Sequence, residues 1–258
     1  YSEASNTNSE ATQSWYTYTM NLNTSFTGDD NLYVRIKTGN PSSWSASTNP
    51  GKTYGSYLVS GNSNGGDLKV DKIWYQFPVG DNNTVWVGPR IENYYMHGTT
   101  PSIYKPVTKQ FTLGGNGNAY GASTNSGAGW AYKFDNGFAV SSNFVSSKTD
   151  LLTNQGATSW ANQVGYTQNQ WSASVMVNAK YNGWHDEYFH STGDAPASGG
   201  SNFTAVGLRT WWRPLETGTM VPSVSLGYDT TTYDDTAPET SDQSSSWFAG
   251  LTWQDAFQ

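Results

Sequence analysis

Apolar and polar residues alternate with a period of two along most of this chain, which makes the β-strand its main element and leaves little room for helix. Between Trp171 and Tyr181, one parity reads Trp171, Ala173, Val175, Val177, Ala179, Tyr181 and the other Ser172, Ser174, Met176, Asn178, Lys180. The stretch from Trp15 to Phe26 repeats the pattern, with Tyr16, Tyr18, Met20, Leu22 and Phe26 against Thr17, Thr19, Asn21, Asn23 and Ser25. So does 218–229, with Met220, Pro222, Val224, Leu226 and Tyr228 against Ser223, Ser225, Gly227 and Asp229. Extending the test predicts about eleven strands, near 15–26, 31–38, 68–79, 84–94, 128–135, 137–146, 158–167, 171–181, 203–213, 218–229 and 244–253.

The connections carry as much information as the strands. Gly28-Asp29-Asp30, Gly80-Asp81-Asn82-Asn83, Asp135-Asn136, Gln168-Asn169-Gln170 and Leu215-Glu216-Thr217 read as tight hairpin turns, built mostly from residues that tolerate turn geometry. Long connections near 39–66, 95–127, 147–157, 182–202 and 230–243 fall between them, so short and long are expected to alternate strictly. A β-sandwich has no reason to gather its short turns at one end, whereas a transmembrane β-barrel does so, with short periplasmic turns and long outer loops. Aromatic residues begin and end the apolar faces, as Trp171 and Tyr181 do. Ten residues at roughly 3.3 Å each, tilted about 45°, rise about 23 Å, close to the ~25 Å apolar band of such barrels. The fold class expected is all-β, an antiparallel transmembrane barrel of porin type.

Composition closes off other classes. Only 13% of the 258 residues are charged, while 12 Trp, 17 Tyr and 27 Gly exceed ordinary usage, so disorder fits poorly. The net charge of −7 argues against a general nucleic-acid binder. The absence of cysteine removes disulfides, thiolate metal sites and cysteine nucleophiles. Apolar runs are a few residues long at most, so no transmembrane helix is expected, and no basic-then-apolar leader opens the chain.

With the apolar parity toward lipid, the polar parity faces the lumen. Arg35, Lys37, Arg90, Glu92, Lys133, Lys180, Arg209 and Arg213 fall on that parity and are the expected pore-lining residues. The phase around 67–73 is ambiguous and leaves Lys69, Asp71 and Lys72 unplaced. Acids concentrate in short turns, at Asp29, Asp30, Asp81, Asp135 and Glu216, and in long loops, at Asp186, Glu187, Asp194, Asp234, Asp235, Glu239 and Asp242. A predominantly basic lumen is therefore expected, which would concentrate anions or orient polar solutes. Solvated residues on an exposed sheet face are the bland alternative.

The longest connection, 95–127, contains His97, Lys105, Lys109 and a glycine-rich run from Gly114 to Gly121. A loop of that length is functional or disordered. Folded inward it would narrow a channel, making Lys105 and Lys109 candidate constriction residues by position. The glycine run lacks the strand-to-helix context of a nucleotide fingerprint. His185-Asp186-Glu187-Tyr188-Phe189-His190 matches no helical zinc motif, no Gly-x-Ser-x-Gly elbow occurs, and no carboxylate pair stands out. No catalysis, metal or cofactor is expected.

Three stretches match a known pattern in combination: Leu22 to Asp30, Asp71 to Val79 and Leu251 to Phe257. In them the chain resembles the cyanobacterial major outer-membrane porins, which are related to the OprB-type carbohydrate-selective porins and are also grouped as iron-uptake porins. The resemblance runs over nearly the whole chain. It implies a barrel in the outer membrane, surrounded by lipid, assembled as a homotrimer and passing small hydrophilic solutes and inorganic ions. Members of that family also carry a surface-layer-homology domain that holds peptidoglycan and a coiled-coil segment, neither of which is read here. Single-chain bacterial barrels have even strand numbers. The expectation is therefore one partial porin domain over 1–258, lacking a first strand and several last ones, with 95–127 as its third long loop. Two other readings stand beside the diffusion channel: a barrel plugged by its loops that links envelope layers, and a soluble carbohydrate-binding β-sandwich.

Overall fold

The computed structural model describes residues 16–40, 66–106, 113–115, 117–121, 123–147, 153–184, 202–218, 220–234 and 242–255, together with 111 and 151. Eleven strands form one sheet: β1 (Thr17–Thr24), β2 (Asn31–Gly39), β3 (Lys69–Val79), β4 (Asn83–Glu92), β5 (Thr124–Lys133), β6 (Phe138–Ser146), β7 (Thr158–Thr167), β8 (Trp171–Tyr181), β9 (Phe203–Trp212), β10 (Ser223–Tyr233) and β11 (Gln243–Thr252). Each pairs antiparallel with its neighbours in sequence, in the order β1 to β11, so β1 and β11 are the edges. A two-sheet sandwich is thereby overturned, since every described strand belongs to the same ladder.

The two parities separate as the side-chain chemistry demands. On β8, Ser172, Ser174, Met176, Asn178 and Lys180 are buried, while Trp171, Val175, Val177 and Tyr181 are exposed. β9 repeats this, with Phe203, Ala205, Gly207, Arg209 and Trp211 buried and Leu208 and Trp212 exposed. On β8 the polar row is inside and the apolar row outside, the reverse of a water-soluble protein, while the inner row of β9 mixes Arg209 with apolar residues and its outer row includes Thr204 and Thr210.

Among the described residues, the connection between β4 and β5 covers much of the inner rows. Its described residues, here called the inward segment, lie between 93 and 123 and include a 3-10 turn at Asn93–Met96 and a single helical turn, α1, at Gly117–Tyr120. Both turns pack on strands across the sheet, the 3-10 turn on β4 to β6 and α1 on β8 to β10. Two apolar clusters form on the inner face. One joins Tyr33, Trp74, Trp86, Ile91, Met96, Ala131, Val145 and Trp184, and the other Leu113, Ala119, Tyr120, Ala161, Met176 and Ala205.

Short turns hold one rim of the sheet. In the β1–β2 turn, Oδ1 of Asp30 accepts from the Ser25 hydroxyl (2.7 Å), the Phe26 amide (3.0 Å), the Thr27 amide (2.8 Å) and the Thr27 hydroxyl (2.8 Å), while Oδ2 accepts from the Tyr75 hydroxyl (2.6 Å). Those bonds, Tyr75 first and Ser25 next, hold the Asp30 carboxyl far below the usual carboxylate range.

Three expectations need correction. β5 begins at Thr124 rather than near 128, because Gly127 and Gly129 continue the ladder opposite Gly88 and Trp86. β10 runs Ser223–Tyr233 rather than 218–229; Gly218 has φ 76°, a left-handed turn conformation, and the apolar residues Met220 and Val221 belong to a turn. The supposedly tight turn at 215–217 is thus a connection over 213–222, as long as the 234–242 connection that follows β10. Strict alternation of short and long fails at that point.

Candidate functional site: the inner wall and the inward segment

The first part of the wall is an ion network on β2, β3 and β4. Arg35 Nε donates to Asp71 Oδ2 at 2.6 Å, and its Nη2 to Glu92 Oε2 at 3.1 Å. Lys37 lies 3.4 Å from Asp71, and Lys72 lies 3.4 Å from both Asp71 and Glu92. The Tyr94 hydroxyl donates to Glu92 Oε2 at 2.6 Å, and Arg35 Nη1 donates to the Tyr95 hydroxyl at 3.3 Å. Burial, and after it the Glu92 charge, push the Tyr94 phenol well above its ordinary value, so it remains a donor. Tyr95 in turn stacks on Tyr94 and packs against Trp74, each with ring centroids 4.6 Å apart.

A β-bulge assembles this network. Arg35 pairs with Lys72 and Ile36 with Val70, so Asp71 is the extra residue on β3. An extra residue puts two consecutive side chains on one face. This is why the phase of 67–73 is ambiguous from sequence and why Asp71 and Lys72 both reach Arg35 or Glu92.

The second part is where the inward segment is bound to the wall. The Thr99 amide donates to Gln163 Oε1 and the Gln163 amide to the Thr99 carbonyl, both at 2.9 Å. Trp211 Nε1 donates to the Thr100 carbonyl at 3.0 Å, and the Asn178 amide to the Ala119 carbonyl at 3.0 Å. Arg209 Nε donates to the Leu113 carbonyl at 3.0 Å, its Nη2 donates to Asp229 Oδ1 at 2.8 Å, and its guanidinium sits 4.6 Å from the Tyr120 ring centre. Glycines make the approach possible. A Cβ on Gly207 would lie 2.9 Å from the Ala119 Cβ, and one on Gly165 would collide with the Thr99 side chain. His97 is enclosed between this segment and β6; its Nδ1 meets Asn143 Nδ2 at 3.4 Å, its ring stands edge-on to Tyr120, and burial pushes its pKa down to about 3.

The eight residues expected to line a pore therefore do different things. Arg35, Glu92, Lys180 and Arg209 are buried, the first two in the ion network and Lys180 with its Nζ 5.3 Å from the Phe203 ring centre. Lys37 is on the inner row and partly exposed. Lys133 and Arg213 are exposed at the short-turn rim, where Arg213 Nε donates to the Asn169 carbonyl at 2.9 Å. Arg90 is misplaced by sequence parity: the register slips between Gly88 and Ile91, leaving it exposed opposite Ile73, which pairs with the outer-row Val34, and its Nε donates to the Asp71 carbonyl at 2.6 Å. Lys105 is exposed on the inward segment, while Lys109, His185 and His190 lie outside the described residues.

Nor do the acids avoid the interior. Asp71, Glu92 and Asp229 are paired with Arg35, Lys37, Lys72 and Arg209. Asp229 shares its parity with Ser225 and Gly227, a signal present in the sequence but not counted among the charges. No group of metal-ligating side chains occurs among the described residues, and no described helix is long and apolar enough to cross a membrane, which says nothing of strands.

No protein-family model matches the chain, and no curated protein sequence does. A solved high-pH structure of Pseudomonas putida OprB is similar with a TM-score of 0.49 and 12% sequence identity, over 81% of this chain and 56% of that one. The chain thus spans little more than half of that protein's length.

Proposed function

We propose that this chain forms the wall of an outer-membrane β-barrel channel through which small hydrophilic solutes and inorganic ions diffuse passively. The observation that carries it is the inversion seen on β8, where an apolar outer row from Trp171 to Tyr181 stands against inner Ser172, Ser174, Asn178 and Lys180, with Leu208 and Trp212 exposed on the neighbouring β9. At the short-turn end the rings of Phe138, Tyr166 and Trp171 follow one another at 4.7 and 5.3 Å, and Trp171 faces Trp212 across the next ladder. Aromatic rings at that height suit the boundary between hydrocarbon and headgroups. Closing the sheet requires strands for the two unpaired edges, β1 and β11.

Pairing of the wall charges favours a weaker anion preference than a bare basic lumen would give. Lys37, Lys69, Lys133 and Arg213 are inner-parity cations that keep solvent contact. A plugged structural barrel is the second reading, favoured by the breadth of wall that the inward segment covers. Planar-bilayer recording of the detergent-purified complete protein under a KCl gradient separates the two. Discrete conductance steps support the channel, and a protein that inserts without conducting supports the plug. A protein that stays monodisperse without detergent would overturn both.

A further inference from the structure

The inward segment decides which wall residues a solute can touch. On β7 to β10 the inner-row side chains of Ser159, Gln163, Met176, Asn178, Lys180, Arg209, Asp229 and Thr231 are each no more than 3% exposed. A charge sealed there contributes to packing, and a passing ion meets it only through intervening protein. β2 and β3 differ. Lys37 on β2 pairs in register with Lys69 on β3, and the Lys37 and Lys69 side chains are 22% and 60% exposed. Both stand on the inner row near the end of the sheet that bears the long connections.

Like charges placed directly opposite on neighbouring strands destabilise a ladder. The carboxylates that offset this pair lie to either side of it, Asp71 at 3.4 Å from Lys37 and Asp67 at 4.0 Å from Lys69, and Arg35, Lys72 and Arg90 crowd the same bulge. Asp71 is shared among Arg35, Lys37 and Lys72, and Glu92 takes part in pairing Arg35 and Lys72.

We propose that the Lys37–Lys69 pair is the charge filter of the channel, selecting small anions such as inorganic or carboxylate anions at the long-loop mouth. Arg35, Lys72, Lys180 and Arg209 are structural cations. This rests on the channel reading above. Two adjacent ammonium groups with solvent access raise the local anion concentration and lower that of cations.

The test is the reversal potential of the complete protein in a planar bilayer under a KCl gradient, for wild type, K37E/K69E, the neutral K37Q/K69Q and the conservative K37R/K69R. Two charge reversals should move the chloride-to-potassium permeability ratio toward potassium by roughly tenfold at low salt, with a shrinking effect as screening rises. The Gln pair should give a smaller shift in the same direction, and the Arg pair should retain the wild-type ratio. Should the Glu pair fail to fold, as judged by loss of the β-sheet circular-dichroism signal, the Gln pair carries the test. Wild-type steps with an unchanged ratio in both Glu and Gln variants overturn the filter and leave the channel standing. Absence of steps in every variant, wild type included, overturns the channel and the filter with it.

Discussion

Arg209 on β9 and Asp229 on β10 form an ion pair, Nη2 to Oδ1 at 2.8 Å, with both side chains out of solvent contact. The same guanidinium donates to the Leu113 carbonyl of the inward segment and to the Leu208 and Tyr228 carbonyls of the wall. It therefore ties three pieces of backbone to one charge. Removing one partner strands the other without water, and losses of about 3–5 kcal/mol are expected for Arg209→Met or Asp229→Asn. Urea unfolding of the detergent-solubilised protein measures the loss. Replacing both partners with apolar residues of similar volume should recover much of it.

Gly207 has room for a hydrogen and nothing more, since its Cβ would meet Ala119, Asp229 and Tyr120 at 2.9 Å. Gly207→Val should push α1 off the wall and cost about 1–3 kcal/mol by overpacking. Hydrogen exchange at Ala119 and Tyr120 should accelerate while the β8–β9 amides keep their protection. In a bilayer, single-channel conductance should rise as the segment lifts. Unchanged conductance with accelerated exchange would show that the segment does not set the pore width.

His97 gives the inward segment a dependence on acid. Its pKa is pushed from the ordinary 6.5 to about 3 by burial, so it docks as the neutral ring. The folded state then binds fewer protons than the unfolded one, and docking free energy is complete above pH 6.5 and falls as pH drops from there toward 3. The slope reaches about 1.4 kcal/mol per pH unit for the single proton. Limited proteolysis of the segment between pH 7 and pH 4 should show increasing cleavage, and His97→Phe should flatten the profile.

At the rim, Asp30 accepts five hydrogen bonds from four residues. Its pKa is lowered, so this stabilisation is complete above the normal carboxylate range and declines on acidification from that range toward the much lower folded value. Asp30→Ala should free the Phe26 and Thr27 amides, raising their exchange rates at neutral pH and lowering the melting temperature. Asp29→Ala, next to it, should not, because none of these bonds uses Asp29.

Most of the sheet was legible because the barrel strand has two solvents and the sequence must answer both: Trp171, Val175 and Tyr181 to one side, Ser172, Asn178 and Lys180 to the other. That rhythm fails where a bulge inserts a residue, at Asp71 on β3 and between Gly88 and Ile91 on β4, and parity arguments misplace Arg90 for that reason. The destination of the inward segment was legible only as a possibility, since its partners are a hundred residues away, as with Thr100 and Trp211. A signal was nevertheless present. Gly129, Gly165, Gly207 and Gly227 all fall on inner parities, and rows kept that bare imply that another piece of backbone lies over them.

The bulge at Asp71 also has a genetic reading. Losing one residue from a strand ordinarily turns every following side chain to the wrong face. Because Arg35 already pairs with Lys72 and Ile36 with Val70, the codon for Asp71 can be lost while every other residue of β2 and β3 keeps its partner and its side. The wall can therefore gain or shed a carboxylate beside Lys37 by insertion or deletion of a single triplet, a route by which related chains can drift in charge without redrawing the sheet.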